Sequence, residues 1–157
     1  MGWYSYVDTP IGRLRMVEDA GVITELGLCD TDLPLYPEYH EKETALILQT
    51  KQELAEYFAG TRRSFTVPLR PKGTAFQLRV WDALLNIPYG ETRSYGEIAK
   101  AIGCPRGARA VGMANNRNPI IIMIPCHRVI GANGKLVGYA GGLHSKEALL
   151  RLEGVLP

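Results

Sequence analysis

The chain has 157 residues, 46% of them hydrophobic and 22% charged, with a formal net charge of +2. That length holds one ordinary domain or two small ones, and the balance is that of a soluble globular protein able to bury a core. The longest apolar run, Ile120 to Ile124, falls far short of the roughly 20 residues of a membrane span, and the start MGWYSYVDTP has neither the basic head nor the apolar stretch of a secretory signal.

Short strands are expected first. Trp3–Val7 and Leu14–Val17 flank the turn-like Thr9-Pro10-Ile11-Gly12, and Asp19-Ala20-Gly21 marks a second turn before a strand over Val22–Leu28. A Pro- and Asp-rich loop, Asp30 to Tyr39, leads to a helix from about Glu41 to Phe58, with Ile47, Leu54, Tyr57 and Phe58 on one face and Gly60 as its stop. Ser64–Leu69 is placed as a return to the sheet. Residues 1–70 carry 7 Lys/Arg against 11 Asp/Glu and show no visible chemistry.

A linker at Pro71-Lys72-Gly73 divides this half, residues 1–70, from residues 71–157, which carry 11 Lys/Arg against 5 Asp/Glu. A basic second half suits a polyanion such as nucleic acid, or is simply a solvated basic face. Thr74 can cap a helix from Ala75 to Leu85, with Phe76, Val80, Trp81 and Leu84 inward. Then comes SYGEIAKAIGCPRGARAVGMANN. Ser94 and Glu97 form a capping box, Gly103-Cys104-Pro105 a tight turn, and Arg106 to about Asn115 a second helix bearing Arg109 among small residues. The layout is helix-turn-helix, which serves DNA binding and also ordinary all-helical packing.

Residues 118–129 read NPIIIMIPCHRV. A buried strand over Ile120–Ile124 would end at Pro125 and present Cys126 and His127 at its tip. A histidine beside a cysteine can act as the base that makes thiolate, directly or through a water. The bland alternative is a structural cysteine next to a surface histidine. On residues alone, Glu153 reads as a solvated helix residue, Asn118 as a turn residue before Pro119, Tyr95 as core packing and Arg109 as an exposed helix charge. Three cysteines, Cys29, Cys104 and Cys126, without metal-type spacing fit a reducing, cytoplasmic setting, and Cys29 and Cys104 are placed as buried, inert thiols.

The string PCHRV, preceded by RNP and followed by GYAGGLHSKEALLRLEG, closely resembles the O6-alkylguanine-DNA alkyltransferases, also called methylated-DNA–protein-cysteine methyltransferases. The resemblance runs from about Phe76 to Gly154, and the first half matches in kind. It implies an α+β protein: a small N-terminal α/β domain, ribonuclease H-like, then a mostly helical C-terminal domain with the helix-turn-helix and the active site. It implies irreversible, single-turnover transfer of an alkyl group from O6-alkylguanine in flipped-out DNA to Cys126, with O4-methylthymine a further candidate substrate. His127 would take the thiol proton through a water, Glu153 would hold the imidazole, and Asn118 would tie the strand before the nucleophile to the helix-turn-helix. Tyr95 would give a hydrogen bond or a proton to the ring nitrogen of the departing guanine. DNA contacts would come from Arg109, which replaces the flipped nucleotide, and from Ala110, Gly112, Tyr95 and Arg128, in the minor groove. Val129, Tyr139, Ala140 and Gly141 would wall the pocket, backbone groups of Cys126, Val129 and Ala140 reading the base edges. The resemblance further implies a monomer working on double-stranded DNA, with no cofactor. A zinc site known in some members would have only Cys29 and His40 available here, so no metal is expected.

Three rivals remain: an alkyltransferase-like binder without a nucleophile, which Cys126 disfavours; a cysteine hydrolase, which leaves Arg109 and the helix-turn-helix unused; and a transcription regulator, for which the Cys-His-Glu set is superfluous.

Overall fold

The computed structural model describes residues 2–137, 139 and 142–157, and its chain divides into two compact units, residues 1–71 and 72–157. The first unit is a sheet with one helix packed on it. Strands β1 (Gly2–Thr9), β2 (Gly12–Asp19) and β3 (Val22–Leu28) form an antiparallel meander, and the short β4 (His40–Glu41) pairs in parallel with β1, giving the order β3-β2-β1-β4. The β2–β3 turn is tight because Ala20 and Gly21 both take positive φ, 51° and 79°, the pairing that a two-residue hairpin requires. Leu14, Met16 and Val17 from β2, and Ile23 and Leu26 from β3, are buried with Ile47, Leu54 and Tyr57 of helix α1 (Ala45–Phe58).

Two expectations shift here. The helix starts at Ala45 and not near Glu41, because Thr44 caps it by accepting from Ile47 N–H while His40–Glu41 is drawn into the sheet. Residues 64–69 do not form a full strand. Only Leu69 bridges to Ile23, whose backbone bonds to Pro68 O and Arg70 N–H.

The second unit is mostly helical. Helix α2 (Ala75–Leu84) opens on a capping box between Thr74 and Gln77 and buries Val80, Trp81 and Leu84, while Phe76 is only half-buried. The pair β5 (Arg93–Ser94) and β6 (Val129–Ile130) is parallel. Helix α3 (Tyr95–Ala101) opens on the Ser94–Glu97 capping box, and a turn through Gly103 (φ 79°) leads to α4 (Ala108–Asn116). The indole N–H of Trp81 donates to Ala114 O at 2.9 Å, pinning α4 to α2. The last helix is α5 (Leu143–Leu152), with Glu153 as its C-cap.

Residues 120–124 are not a strand. Ile124 N–H donates to Ile120 O and Met123 N–H to Ile121 O, while Ile122 takes φ 72°, so the run is a buried turn. Flanking prolines at 119 and 125 weaken any ladder, and Asn118 closes the turn from within. Its Nδ2 donates to Ile124 O at 2.8 Å, and its Oδ1 accepts from Ile120 N–H at 3.0 Å. A β-branched residue at positive φ is a strained conformation that surrounding packing must hold.

Candidate active site

This turn delivers Cys126 to the first position of a 3-10 turn, Cys126–Arg128, with Cys126 and His127 fully buried. Glu153 reaches in from the end of α5, and its Oε2 lies 2.7 Å from His127 Nε2. With a carboxylate there, Nε2 carries the proton and Nδ1 is left as an acceptor. No described residue bonds Nδ1. A histidine so held can take a proton from the neighbouring thiol.

The same carboxylate holds Arg128. Its Nε donates to Glu153 Oε1 at 2.8 Å and its Nη2 to Oε2 at 3.0 Å, while Nη1 donates to Ile87 O at 2.7 Å. Arg128 is 6% exposed and its guanidinium lies over the Tyr89 ring, 5.7 Å from the centroid. The expected DNA contact is therefore corrected: Arg128 is an internal counter-charge for Glu153. Gly90 N–H adds a further bond to Glu153 Oε1 at 3.3 Å.

Burial pushes the Cys126 thiol up to about 11, against opposing stabilisation of its anion by hydrogen bonding from Asn118, by the Lys146 charge and by Tyr139. Burial also pushes His127 below the ordinary imidazole value, with Glu153 opposing. Both shifts favour a neutral thiol and a neutral imidazole at rest.

Lys146 and Asn115 were not singled out in the sequence. Lys146 is fully buried on α5, donates to Val129 O and Val137 O, and stands 5.8 Å from the Tyr95 ring centroid. Burial lowers it to about 8, with Cys126 acting the other way. Its spacing alone is a weak signal: Lys146 falls at helical spacing with Leu149 and Leu150, on the stripe of α5 that the fold buries. Asn115 likewise lies on the buried side of α4 with Val111 and Ala114, and its Nδ2 donates to Cys126 O at 3.1 Å.

The remaining expected residues divide by burial. Arg109 and Ala110 are exposed on α4, and Gly112 lies against the Tyr95 ring, where an added Cβ would stand 3.7 Å from it. Tyr95 donates its hydroxyl proton to Val137 O at 2.5 Å, and burial, then the Cys126 charge, raise its phenol. Tyr95, Arg109, Gly112, Met113 and Val137 help line an open cavity of about 560 Å³. Tyr139 is buried. Val129 is buried, and its N–H donates to Cys126 O. Ala140 and Gly141 lie outside the described residues. Cys29 is exposed and Cys104 half-buried, a correction to the expected buried thiols; Cys29 falls just past the end of β3, where the sheet no longer covers it.

A buried cysteine, histidine and carboxylate in series, held against a helix-turn-helix, define a class of protein with a thiol nucleophile at a nucleic-acid-binding fold. Comparison with known proteins agrees. Residues 3–71 match the ribonuclease-like domain of 6-O-methylguanine DNA methyltransferase, and residues 75–155 match its DNA binding domain. The chain is 50% identical over 153 residues to the methylated-DNA–protein-cysteine methyltransferase of Methanosarcina acetivorans, which covers 97% of this chain and 98% of that one. A crystal structure of Mycobacterium tuberculosis O6-methylguanine methyltransferase matches with a TM-score of 0.91 at 49% identity, covering 100% of this chain and 96% of that one. The structure of Mycobacterium tuberculosis OGT in complex with DNA matches equally, TM-score 0.91 at 49% identity over 99% and 95%. The chain belongs to the 6-O-methylguanine DNA methyltransferase family.

Proposed function

We propose that this chain repairs DNA by direct reversal, taking the alkyl group from O6-alkylguanine onto Cys126 Sγ in one irreversible step per molecule. The observation that carries the reading is the His127–Glu153 pair, 2.7 Å apart and fully buried, with Nδ1 left to accept the thiol proton. Proton loss gives thiolate, which attacks the alkyl carbon; the carbon–O6 bond breaks and guanine leaves, protonated by Tyr95. Thioether is stable, so the product is an alkylated protein.

The O6 substituent lies inside the duplex, so the nucleotide must be extruded, at a cost of a few kcal/mol of stacking and pairing. Arg109, exposed on α4, fills the gap from the minor groove, and Ala110 and Gly112 let the helix approach closely. The protein acts as a monomer on double-stranded DNA, and O4-methylthymine is a secondary substrate. Support for the DNA partner comes from the DNA-bound Mycobacterium tuberculosis relative. Among the described residues no helix is long and apolar enough to cross a membrane, and a cytoplasmic setting fits free thiols.

The test is Cys126→Ser. A hydroxyl of similar size offers almost no anion at neutral pH, so this variant is expected to bind alkylated duplex in a gel-shift assay and to transfer nothing. Residual methyl transfer in Cys126→Ser would overturn the proposal.

A further inference from the structure

Two fully buried side-chain atoms next to the nucleophile have no hydrogen-bond partner among the described residues: His127 Nδ1 and Asn115 Oδ1. They belong to groups that converge on Cys126. Asn115 reaches from α4, its amide nitrogen holding the Cys126 carbonyl at 3.1 Å, and His127 is the next residue along the chain. Buried polar atoms are nearly always paired, and a buried water needs two to four polar partners.

We propose that Asn115 is a positioning residue for the proton relay, its Oδ1 accepting a hydrogen bond from the water that links Cys126 Sγ–H to His127 Nδ1. The inference rests on the reading of Cys126 as alkyl acceptor with His127 as its base. The relay balances. The thiol proton passes to the water as the water gives one of its own to Nδ1. An S–H bond is lost, an N–H bond forms, and the imidazolium is held by Glu153. The water's other hydrogen stays on the water, donated in a hydrogen bond to Asn115 Oδ1 throughout. A carboxamide suits this place, since it accepts the bond while remaining neutral and so does not compete for the travelling proton. The helix that carries Arg109 thereby also orients the step that makes the nucleophile.

The test compares wild type with Asn115→Leu, similar in size but unable to hydrogen bond, in single-turnover reaction with free O6-benzylguanine from neutral to alkaline pH. Lys146 of α5, Tyr95 of α3 and Tyr139 also act on Cys126, and the His127–Glu153–Arg128 set stands beside it, alike in both proteins, so the variant-to-wild-type ratio is read. The expected result is a loss of about tenfold at neutral pH that narrows in alkali, where solvent base removes the thiol proton directly. A loss equal at every pH is a structural effect and overturns the proposal. A crystal structure of the unaltered, unreacted protein gives a second check that does not depend on the variant folding. One ordered water bonded to both Asn115 Oδ1 and His127 Nδ1 is expected. A water on His127 alone overturns the role of Asn115 and leaves the Cys126–His127 reading standing, whereas a wild-type protein that never alkylates Cys126 overturns that reading itself.

Discussion

At the residue scale the site stores its nucleophile in the wrong protonation state. A thiol pushed up to about 11 is ionised in only about one molecule in ten thousand at pH 7. On the proposed reading, burial protects Cys126 from stray electrophiles and makes reaction depend on His127. Lys146 supplies the nearby positive charge that favours the anion. Removing it leaves the burial penalty less opposed, so in Lys146→Met the thiol should titrate higher still, and reaction with free O6-benzylguanine should slow about tenfold at neutral pH. Thiolate absorbance against pH measures the shift; an unmoved titration would mean that Lys146 serves only to tie Val129 and Val137 together.

Arg128 gives a second prediction at this scale. Truncating one partner of a buried ion pair leaves the other charge uncompensated, at about 3–5 kcal/mol. Arg128→Ala should lower thermal stability by that order and misplace Glu153, slowing reaction with both free base and duplex. A variant of normal stability and weakened DNA affinity would restore Arg128 to the DNA surface. Sequence adjacency could not settle this, because PCHRV says which residues are neighbours and nothing about where a side chain points. Asn115 and Lys146 escaped notice for a related reason: a polar residue on an apolar stripe becomes conspicuous only once the stripe is known to be buried.

At the element scale, local chemistry was legible where it is self-contained. Thr74 with Gln77 and Ser94 with Glu97 mark helix starts through side-chain bonds three residues apart, and both boxes are formed. The stretch 120–124 was not legible, since a run of isoleucines reads as a strand by propensity while its turn is imposed by Asn118 and two prolines. The exposed face of α4 carries the third prediction. If Arg109 stabilises the extruded nucleotide, Arg109→Ala should slow repair of duplex while leaving reaction with free O6-benzylguanine nearly unchanged. The ratio of the two single-turnover rates is the measurement. Equal slowing on both substrates would make Arg109 a support of the fold or the pocket.

At the scale of the whole molecule, chemistry and charge are concentrated together. The second unit holds Cys126, the helix-turn-helix and the excess of Lys and Arg, while the first is a sheet and helix with a net negative charge. The strand pattern of the first unit could be read from alternation and turn residues, but its parallel β4 could not, because two residues paired across a distant loop leave no periodicity.

On the proposed reading, folding and not exposure selects the alkyl acceptor. Cys29 is exposed, Cys104 half-buried and Cys126 fully buried, so accessibility alone ranks them in that order. The most direct test incubates the protein with excess duplex containing O6-methylguanine and follows intact mass, then maps the modified peptide. One methyl group per molecule is expected, with no further turnover and all of it on Cys126. Methyl on Cys29 or Cys104, or repair continuing beyond one lesion per molecule, would contradict it.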